Sequence, residues 1–122
     1  MSQAASIQPL RTFKELVSEA KTQIHEITAP TLKAWLSEQM DLILIDVREE
    51  EDFQRGSIRG AISIPRGELE MTITDHTDNP QALIVTYCGG GSRSALAALS
   101  LQQMGYANVH SLQGGFKGWM DS

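Results

Sequence analysis

The chain of 122 residues has little cysteine, little histidine and no long apolar run, and each shortage excludes a class of protein. Cys88 is its only cysteine, so no internal disulfide can form and nothing points to an oxidising compartment. The three histidines lie on separate segments and, with a single cysteine, lack the ligand spacing of a metal site. No apolar run approaches the roughly 18 residues of a membrane span.

Positive charge is also scarce, with 10 Lys and Arg against 15 Asp and Glu and a formal net charge of −5 at pH 7. No basic patch or stripe is visible, which argues against a nucleic-acid partner. The N-terminal segment has no apolar core of signal-peptide length. We therefore expect a cytoplasmic protein of one globular domain, with no nucleic-acid partner, no membrane contact, no metal and no cofactor.

Short apolar runs alternate with amphipathic segments along most of the chain. After a tail over residues 1–9, apolar positions recur every three or four residues from Leu10 to Ile24 and predict an amphipathic helix. Later apolar runs predict strands near 24–27, 42–45, 61–64, 82–87 and 109–112. The segments between them predict helices near 28–36, 49–55, 66–73 and 92–104, a loop over 75–80, and a short helix carrying Phe116 and Trp119. The alternation predicts an α/β fold with a central parallel sheet of about five strands and helices on both faces.

Cys88 ends the strand predicted at 82–87 and is followed by Gly89, Gly90 and Gly91. In parallel sheets, ligands bind at the carboxyl ends of the strands. Loop amides and the positive end of the next helix attract negative charge, lower the pKa of a thiol and favour the thiolate. Glycines suit such a loop because a tight cradle needs unusual backbone angles. The alternative is that the lone cysteine is only a small buried apolar side chain.

The residues around this loop have simpler expected roles. Arg93 is the only charged loop residue and is expected to bind an anionic group, with a structural ion pair as the alternative. Either Ser92 or Ser94 is expected to cap the helix. Asp46 also ends a strand, and with Arg48 it is expected to brace the sheet end beside the loop. No histidine is a clear partner of Cys88, so activation is expected from loop amides and the helix field.

Four segments in the same order resemble the rhodanese domain, the sulfurtransferase fold, over about residues 24 to 120. They read LIDVR at 44–48, GSIRGAISIP at 56–65, CGGGSRS at 88–94 and LQGGFKGW at 112–119. Ser57 and Arg59 stand where this family commonly has histidine and proline. We expect a tail and an amphipathic helix over residues 1–23 and a rhodanese domain over residues 24–122.

The resemblance implies a sulfurtransferase in which Cys88 takes a sulfane sulfur from a donor, becomes a persulfide and passes the sulfur to cyanide or a thiol. It implies that the loop residues bind the substrate and that other residues support the loop: Gly89, Gly90, Gly91, Ser92 and Arg93 for binding, and Asp46, Arg48 and Ser94 for support. The expected partners are a small anionic donor such as thiosulfate, a thiol or cyanide acceptor, and thioredoxin-like or other sulfur-acceptor proteins. Gly89 stands where many thiosulfate-specific members carry a basic residue, whereas Arg93 argues against mercaptopyruvate.

Two other functions stay open on the same residues. The first is a sulfur carrier or interaction module that does not turn over. The second is a phosphatase of the same fold. Related phosphatases have five residues between cysteine and arginine, whereas only residues 89–92 separate Cys88 from Arg93, and a smaller loop favours one sulfur atom over a tetrahedral oxyanion. The N-terminal helix is expected to pack on its own domain, with a dimer or partner contact as the alternative.

Overall fold

The computed structural model describes residues 9–122, so nearly all of the expected tail lies outside the described residues. The strands are β1 His25–Ile27, β2 Ile43–Asp46, β3 Ile62–Ser63, β4 Ile84–Tyr87 and β5 Val109–Leu112. The helices are α1 Phe13–Lys21, α2 Ala29–Ser37, α3 Glu50–Arg55, α4 Leu69–His76, α5 Ser92–Gln103 and α6 Gly115–Met120, with a 3-10 turn at Arg66–Glu68.

All five strands are parallel and lie in the order β1-β5-β4-β2-β3. β4 therefore lies at the centre of the sheet, where it is buried along its whole length. The predicted α/β fold with a five-stranded parallel sheet is confirmed. Because Cys88 follows β4 directly, the cysteine stands at the carboxyl edge of the central strand, next to the end of β2.

Helices cover both faces of the sheet, as predicted. On one face, side chains of α1, α4 and α5 pack on β2 and β4 in a cluster that includes Val17, Ile73 and Leu101. On the other face, α2 and α6 cover a second cluster that includes Leu32 and Tyr87. Burial of apolar surface on both faces is why β2 and β4 read as continuous apolar runs in the sequence.

Several element ends differ from the sequence prediction. α1 begins at Phe13 and not at Leu10, because Thr12 caps it in a reciprocal pair with Glu15, and Leu10 is 97% exposed. α4 continues to His76, into the segment predicted as a loop. β4 begins at Ile84, two residues later than predicted.

The apolar stripe of α1 is only partly buried. Val17 and Ala20 are buried where α1 packs against α5, so the helix contributes to the main core. Phe13 and Leu16 remain 54% and 44% exposed. α1 therefore packs on its own domain, as expected, but part of its apolar stripe remains exposed to solvent. Within residues 9–122, no helix combines the length and the apolar character needed to cross a membrane.

Candidate active site

Cys88 lies at the floor of a loop between β4 and α5 and is only 2% exposed. Gly91 precedes the first residue of α5 with φ +102°, a left-handed conformation that favours glycine. The amide of Gly91 donates a hydrogen bond to the thiol, with 3.1 Å between N and Sγ, and the φ of Gly91 sets the direction in which α5 leaves the loop. Gly89 and Gly90 have no such requirement: their φ values are not positive, and a Cβ on either would meet nothing within 4 Å. The expectation of unusual backbone angles at all three glycines is wrong, and only Gly91 needs them.

Sγ of Cys88 accepts hydrogen bonds from two backbone amides and is also hydrogen-bonded to a hydroxyl group. Besides Gly91, the amide of Ser94 lies 3.3 Å from Sγ and the hydroxyl of Ser94 lies 3.5 Å away. Burial is the largest influence on the pKa of Cys88 and raises it, but hydrogen bonds from the Ser94 side chain and from the amides of Ser94, Gly91 and Gly90 outweigh it. The pKa of Cys88 is therefore lowered from its usual value of 9.0, as a nucleophilic thiolate requires.

The expectation that Ser92 or Ser94 caps α5 is wrong. Gly91 is the capping residue, and no side chain caps the helix. Ser94 instead turns its hydroxyl towards Cys88 and towards Ser111, whose Oγ lies 2.8 Å from that of Ser94. Thr86 on β4 donates to the carbonyl of Ser94 at 3.0 Å and holds this turn of α5 against the sheet. The sequence reasoning missed Ser111, for which the only signal was a serine within the strand VHSL.

The start of α6 holds the other side of the loop. The amide of Lys117 donates to the carbonyl oxygen of Gly89 at 3.0 Å. Because the C=O and N–H groups of a trans peptide point in opposite directions, this bond turns the amide of Gly90 away from α6, and that amide helps to lower the pKa of Cys88. The segment expected only to dock the terminal helix therefore also orients a donor to Cys88.

Asp46 and Arg48 form a buried ion pair at the neighbouring strand end. The Arg48 guanidinium donates from Nη2 and Nε to the carboxylate of Asp46 at 2.8 and 3.1 Å, and Nη2 also donates to the carbonyl of Gly56 at 2.7 Å. Its centre lies 4.4 Å from the ring centroid of Phe116 on α6. Arg48 thus links the end of β2 to the helix that supports the loop. Hydrogen bonding to Asp46 raises the pKa of Arg48, which keeps its charge.

Arg93 is the second residue of α5 and is half-buried. It forms no ion pair with any residue from 9 to 122, so the structural ion pair considered as its alternative role is not observed. Ser92 lies beside it at the start of the helix and is also half-buried. The loop therefore combines a buried thiol, inward-pointing amides and a guanidinium that is not neutralised within the described chain.

The histidines take no part in the hydrogen bonding of the Cys88 thiol. His25 and His110 lie side by side, with 5.7 Å between ring centroids, and His76 ends α4. None of them hydrogen-bonds to Cys88. Over the described part of the chain, no three side chains of His, Cys, Asp or Glu are grouped to hold a metal ion.

Comparison with known proteins places this geometry in a family. A rhodanese-like domain model matches residues 28–122. A proposed sulfur carrier protein of Bacillus subtilis is 31% identical over 110 residues, which cover 90% of this chain but only 58% of that protein. A sulfurtransferase of Allochromatium vinosum is 29% identical over 96 residues, covering 79% of this chain and 88% of that protein.

A solved structure has the same fold over almost the full length. A Rhodopseudomonas palustris protein of unknown function, named as a possible tyrosine phosphatase, superposes with a TM-score of 0.82 at 35% identity and covers 94% of both chains. The family match begins after β1 and spans strands β2 to β5. It includes the cysteine loop and the α6 segment that supports this loop. By fold and by sequence, this chain is a member of the rhodanese-like domain family.

Proposed function

We propose that this chain is a sulfurtransferase that works through a persulfide on Cys88. The observation that carries the proposal is the position of Sγ, which accepts hydrogen bonds from the amides of Gly91 and Ser94 in a loop with an unneutralised arginine. Amides aimed at the sulfur stabilise a thiolate before the reaction and an anionic persulfide after it. The similar protein of Allochromatium vinosum, named as a sulfurtransferase, supports the same reaction class.

The proposed donor is a small sulfur-containing anion such as thiosulfate. The Cys88 thiolate attacks the outer sulfur of thiosulfate, a bond forms between Sγ and that sulfur, and the sulfur–sulfur bond of thiosulfate breaks. Sulfite leaves with the electron pair, and one proton is taken up when the persulfide is in its neutral form. Cyanide or a thiolate then attacks the outer sulfur of the persulfide, and Sγ leaves as a thiolate. We expect Arg93, which forms no ion pair within residues 9–122, to attract the donor's negative charge.

Intact mass tests this proposal directly because the chain has one thiol. Thiosulfate is expected to add the mass of one sulfur atom, and cyanide is expected to remove it with formation of thiocyanate. Cys88→Ser should show neither event, while Ser63→Ala, on the edge strand β3, should show both. A wild-type protein that gains no sulfur from thiosulfate or from a persulfide donor refutes the proposal.

A carrier without turnover is the second candidate, and the relative proposed to be a sulfur carrier favours it. A carrier would acquire one sulfur from a protein persulfide and release it to a thioredoxin-like or other acceptor protein. Steady-state assays separate the two: an enzyme shows many turnovers with small donors and acceptors, whereas a carrier shows single-turnover loading only.

The proposed location is the cytoplasm, where a free thiol stays reduced.

Phosphatase activity is the third candidate because of the name of the Rhodopseudomonas palustris structure. The loop argues against it, since only residues 89–92 separate Cys88 from Arg93 and the amides of Gly91 and Ser94 already converge on the sulfur. We expect negligible hydrolysis of aryl phosphates. Wild-type hydrolysis that disappears in Cys88→Ser would establish the phosphatase instead.

A further inference from the structure

Ser111 lies next to the thiol network although it is remote from Cys88 in sequence. It stands on β5 opposite Thr86 of β4 and is fully buried. The only hydrogen bond of its hydroxyl within residues 9–122 joins it to the hydroxyl of Ser94 at 2.8 Å. A buried hydroxyl hydrogen needs an acceptor, and the acceptor available to Ser111 is Oγ of Ser94.

Two arrangements of the hydroxyl hydrogens are conceivable, and they differ in their effect on Cys88. If Ser111 donates to Ser94, the hydrogen of Ser94 is free to point at Sγ, 3.5 Å away, and every hydrogen has an acceptor. If Ser94 donates to Ser111, the hydrogen of Ser111 has no acceptor in the described structure and Sγ loses a donor. The cost of an unsatisfied buried donor selects the first arrangement.

We propose that Ser111 is a positioning residue that sets the direction of a hydrogen-bond chain running from Ser111 through Ser94 to Cys88. This chain of hydrogen bonds favours the thiolate form of Cys88. A protonated thiol would itself donate to Oγ of Ser94, and the hydroxyl hydrogen of Ser94 would then have no acceptor. The charged groups on the surrounding elements are Arg93 on α5, Lys117 on α6, the Asp46–Arg48 pair at the end of β2, Glu26 opposite Ser111 on β1, and Lys14 and Lys21 on α1. None of their side chains hydrogen-bonds to Sγ, and a change at Ser111 leaves their charges in place.

The pH dependence of Cys88 alkylation by iodoacetamide tests this role and does not depend on sulfur transfer. In Ser111→Ala we expect the midpoint of the pH dependence of alkylation to move to higher pH. The alkylation rate near neutral pH should fall about threefold or more, whereas the maximum rate at high pH should be unchanged. Ser111→Thr restores a hydroxyl and should return the midpoint towards that of the wild type. Ser63→Ala removes a serine hydroxyl from another strand and should have no effect.

A double-mutant cycle shows whether Ser111 acts through Ser94. In a Ser94→Ala background, Ser111→Ala should cause no further shift of the midpoint. A wild-type midpoint in the single variant Ser111→Ala overturns the proposal. An equal shift with and without Ser94 overturns it too, because Ser111 would then act by another route.

A different observation concerns the groove between α1 and the start of α5. It has a volume of about 420 Å³, within the range of small-ligand sites, and is lined by Phe13, Lys14, Val17, Ser18, Lys21 and Ser92. Two lysines and no carboxylate line it, although the chain as a whole has a charge of −5. Lys14 forms no ion pair within residues 9–122, and Lys21 lies 3.6 Å from Glu26.

The groove meets the catalytic loop at Ser92. Ser92 follows Gly91, whose amide nitrogen lies 3.1 Å from Sγ, so standard bond lengths place Cα of Ser92 within about 8 Å of the sulfur. Phe13 offers a half-exposed aromatic ring on the other wall. A ligand that fits this groove has a carboxylate for Lys14, a short organic body for Phe13, and a sulfur several bonds away that reaches Cys88.

We infer that the groove binds the organic part of a carboxylate-bearing thiol that accepts sulfur from Cys88, an inference that rests on the proposed function. The acceptor thiolate attacks the outer sulfur of the Cys88 persulfide, a new sulfur–sulfur bond forms, and the bond to Sγ breaks with its electron pair left on Sγ. One sulfane sulfur moves with no net oxidation. Lys14 is then a specificity-determining residue for the acceptor.

Acceptor kinetics with reduced glutathione and with 2-mercaptoethanol test the groove, since only the first carries carboxylates. In Lys14→Glu we expect the KM for glutathione to rise about five- to tenfold, with the KM for 2-mercaptoethanol unchanged. Lys33→Glu, on α2 beside Trp119, is the matched control and should change neither value.

Loading with thiosulfate, followed by intact mass, separates failure of the groove from failure of the function. If the wild type forms no persulfide, the proposed function fails and the acceptor inference fails with it. If the persulfide forms normally but Lys14→Glu affects both thiols equally or neither, the groove inference alone is overturned.

Discussion

The backbone amide of Phe116 donates a hydrogen bond of 2.7 Å to the carbonyl oxygen of Cys88. The first turn of α6 therefore binds the peptide group of Cys88, the proposed nucleophile. Gly115 makes this approach possible, because an added Cβ there would lie 2.5 Å from that same carbonyl oxygen. The glycine pair before Phe116 is thus part of the loop's support and not only the start of a helix.

Gly115→Ala should disrupt the site and weaken the fold. The new methyl group would collide with backbone atoms of Cys88 and Gly89, and the φ of +59° is itself unfavourable for alanine. We expect a loss of about 1–3 kcal/mol in the free energy of unfolding, measured with urea, and a strong fall in sulfur transfer. Gly67→Ala is the control, since its Cβ would meet nothing within 4 Å. Equal effects in both variants would contradict the steric argument.

The lowered pKa of Cys88 predicts a pH-dependent contribution to stability. The folded protein holds the thiol proton less tightly than the unfolded chain, so folding is favoured by deprotonation. This contribution is present above the unfolded pKa, near 9.0, and is lost as pH falls through the lowered folded pKa.

Urea unfolding of the wild type and of Cys88→Ser at several pH values measures this contribution. The free energy of unfolding of the wild type should rise relative to that of Cys88→Ser as pH increases towards 9.0. A difference that is constant over this range, or that falls, means that the folded environment does not favour the thiolate.

Arg93→Ala should impair the use of anionic donors far more than it impairs folding. A charge-assisted contact to a bound anion contributes about 1.5–3 kcal/mol, which corresponds to a fall of about ten- to a hundredfold in kcat/KM for thiosulfate. The Tm should change little, because Arg93 forms no ion pair within the described residues. Arg59→Ala, which removes an exposed arginine from another loop, controls for net charge. A variant that unfolds but keeps its activity per folded molecule would assign Arg93 a structural role.

Asp46→Ala should destabilise the protein through Arg48. Loss of the carboxylate leaves a largely buried guanidinium with one remaining hydrogen-bond acceptor, the Gly56 carbonyl, and with the rings of Phe116 and Tyr87 beside it. We expect a cost of about 3–5 kcal/mol in urea unfolding. Glu19→Ala breaks the exposed pair with Arg11 and should cost much less. Similar losses in the free energy of unfolding for the two variants would mean that the buried Asp46–Arg48 pair stabilises the fold no more than an exposed pair does.

Local patterns in the sequence were sufficient to predict the architecture. The continuous apolar runs that became β2 and β4 indicated strands buried on both faces, and their alternation with helices indicated a parallel sheet. The position of Cys88 at a strand end followed from the same pattern. Element ends were less predictable: α1 starts at Phe13 because Thr12 and Glu15 cap it, and periodicity alone extended it to Leu10.

The sequence by itself indicated the candidate nucleophile Cys88, its glycine loop and the strand that presents them, because these features are contiguous along the chain. Only the tertiary structure decided which groups surround the sulfur. Ser111 is 17 residues from Ser94, and their contact depends on the pairing of β5 with β4. The bonds from Phe116 and Lys117 to the loop likewise depend on where α6 docks. Contacts of this kind arise from strand register and helix packing, which residue types and spacing along one chain do not encode locally.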